Sequence, residues 1–102
     1  MTPEGKIKQS ITAVLKSFGD RVYYHMPVPG GYGRSALDYL GFAAGLGFAV
    51  EAKRRGKEPT ERQAGVIAAM EKAGAKVFVV DGYQGLAELE RWLTTVVGSS
   101  CS

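Results

Sequence analysis

The stretch LDYLGFAAGLGFAVEAK, Leu37 to Lys53, reads as a β-hairpin. Two largely apolar runs, Leu37–Ala44 and Phe48–Lys53, flank Gly45-Leu46-Gly47, and glycine supplies the backbone freedom that a tight turn needs. Three charged residues break the apolar pattern: Asp38, Glu51 and Lys53. Side chains alternate along a strand, so Glu51 and Lys53 share one face while Val50 and Ala52 point the other way. A two-residue Gly45-Leu46 loop pairs Ala44 with Gly47, and a four-residue loop of Ala44 to Gly47 gives the same register. That register predicts Asp38 opposite Lys53 and diagonal to Glu51. Opposed Cβ atoms lie ~4.5–5.5 Å apart and diagonal ones ~7–8 Å, so the three charges converge on one patch. An odd-length loop with a bulge would undo the convergence. Two acids and an ammonium on one patch suit either a salt-bridge ladder on a solvated sheet face or a hard divalent cation with phosphate chemistry beside it.

Upstream, Thr2-Pro3-Glu4 has the form of a helix start: a capping threonine, a proline in the first turn and an acid against the helix dipole. Ile7, Ile11, Val14, Leu15 and Phe18 recur at helical spacing, and Gly19-Asp20 ends the helix. Glu4 precedes Ile7 by three and Ile11 by seven, so it lies on the apolar stripe and faces inward or toward a cleft rim. The plainer reading of Glu4 is a first-turn dipole acid. RVYYHMPV, Arg21 to Val28, is a predicted strand, and PGGYGRS, Pro29 to Ser35, a glycine-rich loop. The loop lacks the Gly-Lys-Ser/Thr of a Walker motif, and it is either a connector or a phosphate cradle of backbone N–H groups.

Downstream, Lys53-Arg54-Arg55-Gly56-Lys57 is a basic turn beside the hairpin, available to phosphate or simply solvated. Thr60 caps a second helix in a capping box with Gln63. Gln63 also lies on the stripe of Val66, Ile67 and Met70, and Gly74 ends the helix. Ala75 to Gly82 is an apolar strand with both faces covered, and Leu86, Leu89, Leu93 and Val96 mark a last helix. The order is α-β-β-β-α-β-α. The helix between the third and fourth strands predicts parallel pairing there, and the first three strands can be antiparallel. The fold class is α/β, a mixed sheet flanked by helices, with one domain over residues 1–97 and a flexible tail over 98–102.

The 102 residues carry a net charge of +3, unevenly spread. Residues 1–57 hold nine Lys/Arg against four Asp/Glu, whereas residues 58–102 hold four against six. The basic half contains the hairpin, which fits a polyanionic partner. The single cysteine, Cys101, excludes an internal disulfide and a thiolate metal cluster. No run approaches the ~20 apolar residues of a membrane span, and the polar N-terminus has no signal-peptide pattern. These features predict a soluble intracellular protein without a membrane partner. His25, the lone histidine, reads as structural, Trp92 as core or dimer surface, and no serine triad is supported.

An acid in the first helix, Gly31-Tyr32-Gly33 before an Asp-containing strand, then Glu51-Ala52-Lys53 and a downstream Gln63 form an ordered set. This set resembles the virus-type replication-repair nuclease (VRR-NUC) domain of the PD-(D/E)XK superfamily, in its standalone, phage-type form. The resemblance runs from Glu4 to about Gly82. Leu37 stands where the superfamily name has a proline. The resemblance implies a restriction-endonuclease-like core and a metal-dependent DNA endonuclease acting on branched DNA such as Holliday junctions. It implies Mg²⁺ or Mn²⁺ held by Asp38, Glu51 and the Ala52 carbonyl, with Lys53 positioning or activating water. Glu4 would act near the metal, and Gln63 would support Lys53 or contact phosphate. Gly31, Tyr32, Gly33, Arg34, Ser35, Arg54, Arg55 and Lys57 would contact DNA. It also implies a homodimer, phage- or prophage-encoded, in the bacterial cytoplasm. The alternatives are a non-catalytic DNA-binding module that retains the fold and an archaeal-type Holliday-junction resolvase.

Overall fold

The computed structural model describes residues 2–27 and 37–99. Their order is α1 (Pro3–Ser17), a short 3₁₀ turn (Gly19–Arg21), β1 (Val22–His25), β2 (Tyr39–Ala43), β3 (Leu46–Ala52), α2 (Glu61–Lys72), β4 (Lys76–Val80) and α3 (Tyr83–Ser99). The four strands form one sheet in sequence order. β1, β2 and β3 pair antiparallel, and β3 pairs with β4 in parallel. The α/β class, the element order and the mixed sheet flanked by helices therefore agree with expectation. β1 is shorter than the predicted Arg21 to Val28. Arg21 closes the 3₁₀ turn, Pro27 has no N–H to give a ladder, and Val28 lies outside the described residues, as do Pro29 to Ser35 and Cys101.

The hairpin corrects the predicted register. Ala43 pairs with Leu46, so the loop is Ala44-Gly45. Both loop residues have positive φ, 53° and 82°, as a type I′ turn requires. A Gly45-Leu46 loop would force a leucine into that region, at about 1–2 kcal/mol. The observed register also pairs Gly41 with Phe48. A Cβ on Gly41 would come within 2.9 Å of the Phe48 ring, so the aromatic ring packs where β2 has no side chain. Continued one residue beyond Tyr39↔Val50, the pairing sets Asp38 across from Glu51, not from Lys53. The shift is two residues, so the side-chain parity survives and the three charges remain on one face.

Each helix packs for reasons visible in its residues. The Thr2 hydroxyl accepts from the Gly5 N–H at 3.0 Å and starts α1. α1 and α3 cover one face of the sheet, where Ile11, Leu15, Tyr39, Phe48, Val50, Ala52, Phe78, Val80, Leu89, Leu93 and Val97 form the core. Trp92 on α3 meets Phe48 and Phe78 edge-on, at 5.9 and 5.6 Å between centroids. The Trp92 expectation thus resolves to packing against the core. α2 lies on the opposite face and has no fully buried residue. Val79 accordingly stays 37% exposed, and the expectation that both faces of β4 are fully covered is corrected. α2 leaves the β1–β2 half of that face open: Tyr23, Phe42 and His25 are exposed and line a groove bordered by Met70 of α2. None of the described helices is long and apolar enough to cross a membrane.

Candidate metal centre and nucleic-acid interface

The site forms where β2 begins and the parallel pair β3 and β4 ends. Lys53 follows the last residue of β3, and its N–H donates to the Val80 carbonyl at 2.9 Å. This bond extends the ladder one step and holds the Lys53 backbone against β4. On the other side of β3, the Ala52 N–H donates to Asp38 Oδ2 at 2.8 Å. The Asp38 N–H donates in return to Glu51 Oε1 at 3.2 Å. These two bonds lock the acids together just past the end of the β2–β3 ladder. In an extended strand a residue's N–H and C=O face the same edge, so the Ala52 carbonyl looks toward Asp38 as well.

Glu51 is 4% exposed. It is the buried polar or charged residue among the described ones, and its other oxygen is also held. Gln63 Nε2 donates to Glu51 Oε2 at 2.7 Å, and Lys53 Nζ lies 3.7 Å from the same oxygen. Burial pushes the Glu51 carboxyl above the ordinary glutamate value, the Asp38 charge pushes it further, and Lys53 partly offsets both. The site thus holds two carboxylates closer, and drier, than their charges favour.

Gln63 plays two parts at once. Its backbone N–H donates to the Thr60 hydroxyl at 3.2 Å, and its Oε1 accepts from the Thr60 N–H at 3.0 Å. This completes the capping box of α2. The cap leaves Nε2 free to turn toward the sheet, so the same side chain starts the helix and holds the acid. Gln63 was expected beside Lys53 or phosphate; its partner is Glu51.

A cleft of about 540 Å³ meets the site through Lys53 and is lined by Thr2, Pro3, Glu4, Lys53, Arg54, Lys57, Glu58 and Thr60; Asp38 and Glu51 are not part of that lining. It lies between the N-termini of α1 and α2, whose dipoles favour an anion. Glu4 lines it and is also the acid in the first turn of α1. Arg54 and Lys57 line it, whereas Arg55 is exposed in the same turn and is not part of the lining. Gly31, Tyr32, Gly33, Arg34 and Ser35 lie outside the described residues.

Lys8 is the site residue that the sequence reading missed. Its Nζ lies 3.4 Å from Asp38 Oδ1. The available signal was its position one helical turn after Glu4, on the same face of α1. The Tyr39 hydroxyl donates to the Lys8 carbonyl at 2.8 Å and lies 2.9 Å from Thr12 Oγ1. Tyr39 follows Asp38 in the chain, so this clamp sets α1 directly over the acid.

Among the described residues, no group of three or more His, Cys, Asp or Glu side chains gathers to hold a metal ion. A structural zinc site, which needs four ligands, is not built here. Two carboxylates, a neighbouring backbone carbonyl and an open cleft are instead the donor set that suits Mg²⁺ or Mn²⁺, since Mg²⁺ takes one or two protein carboxylates and keeps its waters. No family model, curated protein or solved structure matches the chain.

Proposed function

We propose that the chain is a Mg²⁺- or Mn²⁺-dependent endodeoxyribonuclease of the VRR-NUC type, with a PD-(D/E)XK core and a preference for branched DNA such as Holliday junctions. One observation carries the reading: a buried Glu51, locked to Asp38 and touched by Lys53, which itself lines a cleft together with Arg54 and Lys57. A solvated salt-bridge ladder would not bury its acid, and a domain that only binds DNA gains nothing from two carboxylates beside phosphate. When bound, the divalent cation supplies Lewis-acid charge to the scissile phosphodiester and lowers the pKa of a bound water. Asp38, Glu51 and the Ala52 carbonyl would hold it. Gln63 keeps the Glu51 carboxylate oriented. Lys53 holds the attacking water and receives the charge that builds on the non-bridging oxygens. Water would add to phosphorus and release a proton to solvent as the P–O bond to the leaving sugar oxygen breaks, that oxygen taking a proton from solvent, with Glu4 orienting solvent. Arg54 and Lys57 hold the neighbouring phosphates, with Arg55 and Gly31 to Ser35 as further DNA contacts. Cutting both strands of a junction calls for two sites, hence a homodimer, in a phage- or prophage-encoded enzyme of the bacterial cytoplasm.

The test is cleavage of labelled four-way-junction and linear duplex DNA with Mg²⁺, Mn²⁺ or EDTA, by wild type and Lys53→Ala. Metal-dependent cutting that falls at least about 100-fold in the variant is expected, the scale of losing a positioned charged donor. Preference for the junction over the duplex marks the branched-DNA reading. Binding of DNA without cutting in either metal transfers the chain to the DNA-binding modules.

A further inference from the structure

The four oxygens of the acid pair are not held alike. Asp38 Oδ2 takes a backbone N–H from Ala52, and Glu51 Oε1 takes one from Asp38. Glu51 Oε2 takes Gln63 and the largely buried Lys53. Asp38 Oδ1 differs: its described partner is the Lys8 ammonium, on a side chain 38% exposed. Backbone donors do not move without unfolding the strand end, whereas a half-exposed lysine turns freely into water. Oδ1 is therefore the exchangeable oxygen of the site.

Charge and exposure favour exchange at Lys8 over Lys53, whose ammonium lies 3.7 Å from Glu51 on a side chain only 14% exposed. A cation of the Mg²⁺ type binds oxygen at about 2.0–2.1 Å. An ammonium 3.4 Å from that same oxygen would then sit within a few ångströms of a divalent charge, at a site already short of water. We infer that Lys8 is the resident counter-ion of Asp38, holding the empty site electrically neutral, and that a divalent cation displaces it on loading; the inference rests on the metal of the nuclease reading. With Lys8 and Lys53 against Asp38 and Glu51, the four formal charges cancel. Addition of the cation raises the balance to +2 while Lys8 stays tethered on α1 by the Tyr39 clamp. The metal then adds to the pull on a phosphodiester that Arg54 and Lys57 already supply. Lys8 is a positioning residue in this scheme, acting through Asp38.

The test is Mn²⁺ titration by calorimetry on the full chain, without DNA and at about 0.15 M ionic strength, where the Debye length is ~8 Å. It compares wild type, Lys8→Met, Lys8→Gln and Asp38→Asn. Lys6→Met serves as control, since it removes an equal charge from the same helix two residues away. Both Lys8 variants are expected to bind Mn²⁺ about three- to fivefold more tightly than wild type, the order of one half-exposed ion pair. Lys6→Met is expected to change affinity less than about twofold, and Asp38→Asn to abolish binding. Unchanged or weaker affinity in both Lys8 variants overturns the inference and leaves the nuclease reading intact. An equal gain in Lys6→Met also overturns it, because net charge alone then explains the effect. If wild type and both Lys8 variants bind no Mn²⁺ at millimolar concentration, the inference and the metal reading fall together.

Discussion

Glu51 concentrates the energetic conflict of the protein into one side chain. It is buried beside another carboxylate, and one lysine offsets only part of the cost. Its folded pKa is therefore above its unfolded one, so folding favours the protonated form. The consequence for stability has a definite sign. Below the unfolded glutamate value, about 4.3, both states are protonated and Glu51 contributes no pH dependence. As pH rises from there through the raised folded value, the unfolded chain ionises first and the wild type loses stability. Glu51→Gln removes this titration. In EDTA, the Tm of wild type relative to Glu51→Gln is expected to fall as pH climbs through that window and then level off. Melting both proteins by circular dichroism from pH 4 to 8 measures it. A difference that stays flat would mean that Glu51 is as solvated folded as unfolded.

The β2–β3 hairpin is the element that converts local sequence into a site. Its type I′ turn places Ala44 at φ 53°, where an L-residue with a Cβ is strained. Asn tolerates that conformation, and Asn-Gly is the favoured pair for this turn. Ala44→Asn is expected to stabilise the protein by about 0.5–1 kcal/mol. The midpoint of thermal unfolding should rise by a few degrees, at about 4–8 °C per kcal/mol for a domain near this size. The register should be unchanged. A fall in Tm would show that the turn geometry is other than I′. The two-residue slip between the expected and observed registers belongs to this scale too. Alternation alone could not detect it, because a shift of two leaves every side chain on its own face. Only the ring of Phe48 over Gly41 and the two positive φ angles select the pairing.

Across the whole molecule, the site is assembled from α1, β2, β3 and α2, and the Tyr39 hydroxyl is the tie between layers. It bridges the Lys8 carbonyl and Thr12 from a fully buried position on β2. Tyr39→Phe keeps the ring and removes the tie, leaving a carbonyl and a hydroxyl short of a partner. The expected loss is about 1–3 kcal/mol, read as a Tm several degrees lower with an unchanged far-UV spectrum. An unchanged Tm would place the hold of α1 on the sheet in apolar packing alone.

Much of this arrangement was legible from residues in a row. Thr2-Pro3 and Thr60 with Gln63 announce their helices because capping is a contact within three residues. The apolar stripes give the element order, and the helix between β3 and β4 gives the parallel pair. Asp38, Glu51 and Lys53 are legible as neighbours because alternation is a local rule. The partners were not. That Gln63 turns to Glu51 and that Lys8 reaches Asp38 depend on how α2 and α1 sit on the sheet, whereas Asp38 stands across from Glu51 because of the hairpin's turn and the Gly41–Phe48 pair. The placement of α1 comes from the burial of Tyr39 and its neighbours in the core against elements far away in the chain. The sequence by itself determined which residues are chemically unusual and on which faces they stand. Tertiary structure decided which of them touch, because contact between layers follows from core packing, and core packing is a property of the whole chain.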